Sequence, residues 1–190
     1  MYPMRAFART APGRVVLALL AMLALLALAA CAAIGVGRSP PEHVDLDLDP
    51  ARWTRVLHAS DNGMSVTEYV PPGETAEEWT RFVSITILND TLVRYSGARA
   101  AMTECRALLQ ATCPGAVWTV LRDSDRDLLY EWTVAGCEGE PDQHEVGRLI
   151  KGGHTLIRIT FSVKGRMDAA TRTEWLRRIA RARFVDAPEQ

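Results

Sequence analysis

The sequence lacks the short motifs by which common enzymes and metal sites are recognised. It has no GxSxG nucleophile turn, and its pair Gly152-Gly153 is too short to be a nucleotide-binding glycine loop. It also has no CxxC pair, and its four histidines have no ligand spacing. His144-Glu145 starts like a zinc-protease helix, but Arg148 stands where the second histidine is required. We therefore expect no catalytic residue, no metal and no cofactor, although a triad scattered along the chain would leave no such signal.

An excess of basic residues and a long apolar run are also missing. The chain has 22 Lys and Arg against 23 Asp and Glu, a formal net charge of -1. Nucleic-acid binding needs a basic surface for phosphate contacts, so we expect no nucleic-acid partner. The longest apolar run covers residues 15–30, and it is shorter than the roughly 20 residues of a comfortable transmembrane helix.

The first 30 residues have the layout of a secretory signal. Three arginines, Arg5, Arg9 and Arg14, precede the apolar run, which ends in small residues. No stop-transfer pattern follows the run. These features also fit an uncleaved signal anchor, or an ordinary secretory signal followed by an unrelated cysteine.

The residues Leu28-Ala29-Ala30-Cys31 resemble the lipobox of bacterial lipoproteins. The resemblance implies that residues 1–30 are a signal peptide, that the chain is cut before Cys31, and that this cysteine carries the lipid anchor. Two or more acyl chains hold a protein stably on a membrane. Ala32 is not the Asp that marks retention in the inner membrane. The resemblance therefore favours the outer membrane of the cell envelope, on its periplasm-facing side.

Removal of residues 1–30 leaves a mildly acidic chain with two parts. It takes away three arginines and no acidic residue, so the formal net charge changes from -1 to -4. Residues 31–50 contain the cysteine, glycines, a Pro-Pro pair and alternating acids without sustained periodicity, which predicts a flexible tether. Residues 51–190 have the length of a single domain.

Alternation of apolar and polar residues predicts strands in most of this domain. Six segments show this alternation: 64–70, 79–88, 116–122, 128–135, 144–150 and 155–164. The segments 97–112 and 168–183 have helical spacing, and the second starts at an N-capping Asp168 or at a capping box from Thr171 to Glu174. Adjacent strand pairs indicate an α+β fold, with an antiparallel sheet of about five or six strands and two packed helices.

The order of these elements resembles that of small PsbP-like domains, which occur in exported and lipid-anchored proteins. The resemblance covers most of residues 60–185 and includes the closing helix with Trp175 and Phe184. It implies a sandwich-like binding module, and it carries over no functional residue.

After Cys31, three cysteines remain in a compartment that permits disulfides. Cys113 and Cys137 fall at the ends of a helix and a strand, where a bridge can close, and we favour this pair. Cys105 lies on the apolar stripe of its helix, more than two helical turns from Cys113, so an intact helix excludes a bridge between these two cysteines. A pair of Cys105 with Cys137 remains open. The favoured disulfide would add roughly 3 kcal/mol of stability.

A basic patch, formed by Arg177, Arg178 and Arg181, lies opposite the apolar stripe of the last helix, with Glu174 beside it. Such a patch can contact lipid headgroups, lipopolysaccharide or an acidic partner. A solvated helix face is the alternative, and it is the commoner reason for a row of charges.

These features predict a lipid-anchored, non-enzymatic envelope protein that binds other components or helps to assemble them. We expect an envelope protein as its partner, in addition to the membrane that holds the anchor. One alternative is a periplasmic hydrolase or transferase with a dispersed active site. Another is a carrier of lipids or small molecules, with an apolar cavity between sheet and helix.

Overall fold

The computed structural model describes residues 43–89, 96–137, 139, 141–153 and 155–185, apart from the side chains of residues 43, 184 and 185. The predicted signal peptide and Cys31 lie outside the described residues. The described chain contains the following elements, in chain order: β1 (His43–Asp45), β2 (Thr54–Asp61), β3 (Met64–Val70), β4 (Arg81–Asn89), α1 (Ala98–Thr112), β5 (Val117–Arg122), β6 (Asp127–Val134), β7 (Gln143–Lys151), β8 (Thr155–Lys164), α2 (Ala169–Arg181) and β9 (Arg183–Val185).

Seven of these strands form one antiparallel sheet in the order β2-β3-β4-β8-β7-β6-β5. The two helices pack on opposite faces of it. Leu128 and Tyr130 of β6 belong to the core under α1, whereas Leu129 between them belongs to the core under α2. Because side chains alternate along a strand, the two cores lie on the two faces. The α+β class expected from the sequence is therefore confirmed.

The central strand β8 is buried on both faces, apart from the partly exposed Arg158 and the exposed Lys164 at its end. Its alternate side chains contribute to both cores, and each large apolar side chain buried there contributes about 1.5 to 3 kcal/mol. The core under α2 includes Val146, Ile157, Ile159, Phe161, Trp175 and Ile179. The core under α1 includes Ala98, Ala101, Met102, Leu128, Tyr130, Trp132 and Leu156.

The sheet has seven strands instead of five or six because β2 is a strand that the sequence pattern does not show. Almost all of its side chains are exposed, so it has no apolar alternation to recognise. It pairs with β3 through a tight turn at Asn62 and Gly63, which have φ angles of 47° and 84°. Asn-Gly is the usual signal of a two-residue hairpin. The Asn62-Gly63 dipeptide is therefore the feature of the sequence that indicates strand β2.

The predicted tether is too long at its carboxyl end. Strand β1 pairs antiparallel with β9, and Asp45 lies opposite Arg183 in this two-stranded ladder. Leu46 is 5% exposed and belongs to the core under α2, while Val44 and Leu48 pack against that core. Apolar residues alternate with acids here, and the apolar ones face inward. The folded unit therefore includes residues from 43 onward instead of starting at 51.

Candidate functional site

Helix α2 is fixed on the sheet by stacked aromatic rings. Trp175 stacks on Phe161 of β8, with ring centroids 3.9 Å apart and planes 4° apart. Trp53 meets the ring of Trp175 edge-on at 5.4 Å. Ile179, one turn further along the helix, is fully buried. With these residues facing the core, the other side of the helix faces solvent.

The carboxyl end of α2 is held by a partly buried arginine of β7. Arg148 donates from one guanidinium nitrogen to the backbone oxygens of Ile179, Ala180 and Ala182, each at 3.1 Å. Its other two nitrogens bind both carboxylate oxygens of Asp127, at 2.8 and 3.1 Å. These bonds satisfy carbonyl groups that the helix itself leaves unpaired. The end of α2 is thereby fixed relative to β6 and β7.

Four arginines line an open groove of about 550 Å³ at this end of the helix. The predicted residues Arg177, Arg178 and Arg181 all contribute to it, and Arg183 joins them. The remaining lining residues come from the end of β1, the segment after it, α2 and the residue that follows α2: Asp45, Leu46, Asp47, Glu174 and Ala182. The sequence pattern placed Arg183 inside the helix. In the structure α2 ends at Arg181, and Arg183 begins β9.

Arg178 has a structural role within this arginine groove. Its guanidinium donates to the backbone oxygen of Asp47 and lies 3.4 Å from Glu174. It also lies over the ring of Trp175, 5.4 Å from the ring centroid. Arg178 therefore ties α2 to the segment that follows β1.

Three guanidinium groups of the arginine groove have no partner within the part of the chain that the structure describes. Arg177, Arg181 and Arg183 are exposed, and their side chains make no hydrogen bond or ion pair with any described residue. Asp45 lies opposite Arg183 in the ladder, but its carboxylate accepts a hydrogen bond from the backbone of Asp47 at 3.0 Å. Among the described residues, the groove therefore has three guanidinium groups that are free to bind an anion, and acidic side chains are part of its lining.

A second polar cluster lies on the α1 face and has no sequence signal. Glu145 is 5% exposed. One of its oxygens accepts hydrogen bonds from Tyr130 at 3.1 Å, Trp132 at 2.9 Å and Arg158 at 2.9 Å. The other accepts from Ser162 at 3.0 Å. These four donors satisfy both carboxylate oxygens of Glu145 and fix the orientation of its side chain.

Burial in and around this cluster affects the protonation of Tyr130 and Cys105, and close packing restricts the residue at position 147. Burial raises the pKa of Tyr130, so its hydroxyl stays protonated and donates to Glu145. Burial likewise raises the pKa of the free thiol of Cys105, which makes it a poor nucleophile. A Cβ at Gly147 would lie 2.5 Å from the Tyr130 hydroxyl, so only glycine fits beside that ring.

His144 and Glu145 point to opposite faces of β7, as expected for a strand. His144 is 6% exposed and accepts a hydrogen bond from the backbone of Met167 at 3.3 Å. Its other ring nitrogen lies 3.7 Å from Glu131, which binds Arg172 through both carboxylate oxygens. This arrangement does not resemble a zinc-protease helix. His144 is instead part of the contact between α2 and the sheet.

Cys113 and Cys137 form a disulfide with their Cα atoms 5.4 Å apart, and Cys105 is a free cysteine. This is the pair that the sequence favoured over Cys105 with Cys137. The bridge links the end of α1 to the residues just after β6. Cys113 belongs to the core under α1 and Cys137 packs against it, so the disulfide is part of that core.

A second exposed surface is the edge strand β5. Val117 is 62% exposed, and Val120 and Leu121 are 40% and 39% exposed. β5 pairs with β6 on one side, and within the described sheet its other side has no strand neighbour. Exposed apolar residues on an unpaired edge are a common contact surface for other proteins.

Two further structural results concern membranes and metals. Among the residues that the structure describes, no helix is both long and apolar enough to cross a bilayer. Within the same residues, no group of three or more His, Cys, Asp and Glu side chains is placed to hold a metal ion.

No family model matches this chain, and no curated protein matches it. Among solved structures, a mutant of the protein Mog1 is similar over 77% of this chain and 97% of its own, with 13% identity and a TM-score of 0.44. The Saccharomyces cerevisiae Ran-binding protein Mog1p is similar over 72% of this chain and 84% of its own, with 13% identity and a TM-score of 0.41. Neither likeness bears on what this chain binds.

Proposed function

We propose that this chain is a lipid-anchored, non-enzymatic protein of the bacterial cell envelope, whose domain binds or helps to assemble other envelope components. In this proposal residues 1–30 are removed as a signal peptide, and Cys31 carries the lipid. The domain faces the periplasm, with the outer membrane favoured. Its fold is a variant of the PsbP-like sandwich, and a binding module is the role that such a fold implies.

The arginine groove is the observation that carries the binding role. A solvated helix face needs no fixed geometry, whereas here Arg148 and Arg178 fix the end of α2 and hold the groove in shape. Arg177 and Arg181 then lie exposed and unpaired among the described residues. The fixed backbone holds these two side chains at a constant separation, so an anionic group that binds both has to order only the side chains themselves. The groove therefore fits recognition of an anionic group on another envelope component.

An envelope protein is the proposed partner, and the edge of β5 offers it a separate surface. Val117, Val120 and Leu121 would be removed from water when that partner binds. The proposed module then has two surfaces of different chemistry, one cationic and one apolar.

Acyl labelling and photocrosslinking in intact cells test this proposal. The wild-type chain should take up labelled fatty acid and fractionate with membranes, and Cys31→Ser should lose both properties. A photoreactive residue in place of Val117 should capture a defined envelope protein, whereas the same residue in place of Arg106, which is exposed on α1, should not. Membrane retention and label in the Cys31→Ser variant would contradict the anchor. Turnover of an envelope substrate, lost on one polar substitution, would contradict the non-enzymatic role.

A further inference from the structure

The charges in and around the arginine groove favour a discrete anion over a diffuse negative surface as its ligand. The processed chain would carry a formal charge of -4, so an anionic membrane would repel it as a whole. Acidic residues Asp45, Asp47 and Glu174 also line the groove, which weakens long-range attraction further. What remains is short-range binding by Arg177 and Arg181, one helical turn apart, together with Arg183. Guanidinium groups bind phosphate through paired hydrogen bonds, and such contacts do not need a large net charge.

The groove also lies where the chain enters the domain from the proposed anchor. Asp45 and Asp47 belong to β1 and the segment directly after it, and both line the groove. Eleven residues, 32–42, separate Cys31 from His43. Even a fully extended chain of this length spans only about 40 Å. A lipid on Cys31 would thus hold the groove close to the membrane surface at all times and raise the local concentration of lipid headgroups around it.

We infer that the groove binds the phosphate of an anionic membrane lipid through Arg177, Arg181 and Arg183, and thereby seats the domain against the membrane that holds its anchor. This inference rests on the proposed lipid anchor. In the seated state the domain has a fixed orientation instead of turning freely on its tether. The apolar edge of β5 remains for a protein partner.

Residue-resolved arginine labelling tests the inference. The lipidated protein, as isolated from cells, is reconstituted into vesicles of phosphatidylcholine alone or with phosphatidylglycerol, and is then treated with phenylglyoxal, an uncharged arginine reagent. Mass spectrometry gives the labelling rate at each arginine. Arg106 and Arg126 are exposed residues outside the groove and serve as internal controls. A third sample holds inorganic phosphate in solution with neutral vesicles.

On anionic vesicles we expect labelling of Arg177, Arg181 and Arg183 to slow by about fivefold or more, with the two control arginines unchanged. In the double variant Arg177→Gln/Arg181→Gln the protection of Arg183 should disappear. It should persist in Arg106→Gln/Arg126→Gln, which has the same net charge. This pair of variants separates a built site from an effect of total charge.

Three results would overturn the inference. The first is equal labelling of groove and control arginines on all vesicles. The second is protection by dissolved phosphate but not by anionic lipid. The third is protection in native envelopes that pure lipid vesicles do not reproduce, because the occupant would then be another macromolecule. Failure of the anchor itself would be seen independently, as an unmodified Cys31 in the mass spectrum of the isolated protein.

Discussion

Arg148 connects a strand, its neighbour and a helix through one guanidinium group. Its side chain is 12% exposed, and all three of its nitrogens are used. Partial burial acts to raise the pKa of Asp127, but hydrogen bonds from Arg148 and Arg122 outweigh this effect and keep the pKa below its ordinary value. The ion pair is therefore maintained at neutral pH.

Replacing Arg148 by Gln should destabilise the protein by about 3 kcal/mol, because the half-buried Asp127 loses its main partner and the end of α2 loses its donor. Urea unfolding followed by tryptophan fluorescence measures this change. Arg106→Gln is the matched control, since Arg106 is exposed, and it should change stability by no more than about 0.5 kcal/mol. Equal effects of the two substitutions would show that the cap of α2 is unimportant.

His144 makes the stability of the protein depend on pH. Burial lowers the pKa of its imidazole from the ordinary value of 6.5, although the nearby Glu131 acts in the opposite direction. Below about pH 6.5 the unfolded chain binds a proton at this residue that the folded chain does not bind. Stability should therefore fall as the pH decreases from 6.5 toward the lowered pKa.

His144→Gln should reduce the loss of stability between pH 7.5 and pH 5.5, because glutamine can still accept the hydrogen bond from Met167 but does not titrate. Urea unfolding at the two pH values measures it. His58→Gln, on the exposed strand β2, should leave the difference between the two pH values as it is in the wild type. An unchanged difference in the His144 variant would mean that other groups cause the pH dependence.

Single residues were predictable where the signal is local. The lining residues Arg177, Arg178 and Arg181 follow one another on one helix face, and helical spacing alone places them together. The cluster around Glu145 draws residues from β6, β7 and β8, so only the strand register brings them into contact. No spacing rule on a single sequence contains that register.

At the scale of elements, the start of α2 has a clear determinant. The side chain of Asp168 accepts hydrogen bonds from the backbone of Ala170 and Thr171, each at 2.9 Å. Of the two starts that the sequence offered, the structure has the N-cap at Asp168. A hydrogen bond from the Thr171 side chain lowers the pKa of Asp168, so the cap is fully charged at neutral pH.

Asp168→Ala should cost about 1 kcal/mol, because two amide groups of the first turn lose their acceptor. Thermal or urea unfolding at neutral pH measures this loss. Asp168→Asn should retain most of the stability, since asparagine is an equally good cap. An Asp168→Ala variant as stable as the wild type would show that packing of Trp175 alone fixes the start of the helix.

Elements with a sustained apolar pattern were predicted closely, and elements without one were not. The strands 64–70 and 155–164 and the helix 97–112 agree with the structure to within one residue. Strand β2 is exposed on nearly all sides, and β1 and β9 have three residues each, so neither case gives a sustained pattern. Leu46 and Leu48 alternate with acids between Asp45 and Asp49, and this short alternation next to a Pro-Pro pair predicts a tether instead of a strand.

At the scale of the molecule, the bridge between Cys113 and Cys137 restricts the unfolded chain. The two cysteines are 24 residues apart, so Cys113→Ser/Cys137→Ser should lower the free energy of unfolding by about 3 kcal/mol. Urea unfolding measures this value. Cys105→Ser, which removes the free thiol, should have a smaller effect. Thiol labelling of the unreduced, denatured domain should modify Cys105 and leave Cys113 and Cys137 unmodified.

Pairing of β1 with β9 brings the entry and the exit of the described chain to the same place. His43 and Val185 are direct partners in this ladder, so the backbone arrives and leaves side by side. A short peptide joining these positions would make a cyclic domain, and new ends could then be opened at an exposed turn such as Asn62-Gly63. In such a permuted protein an anchor could be attached at a different corner of the molecule, which would separate the effect of tether position from the effect of the domain itself.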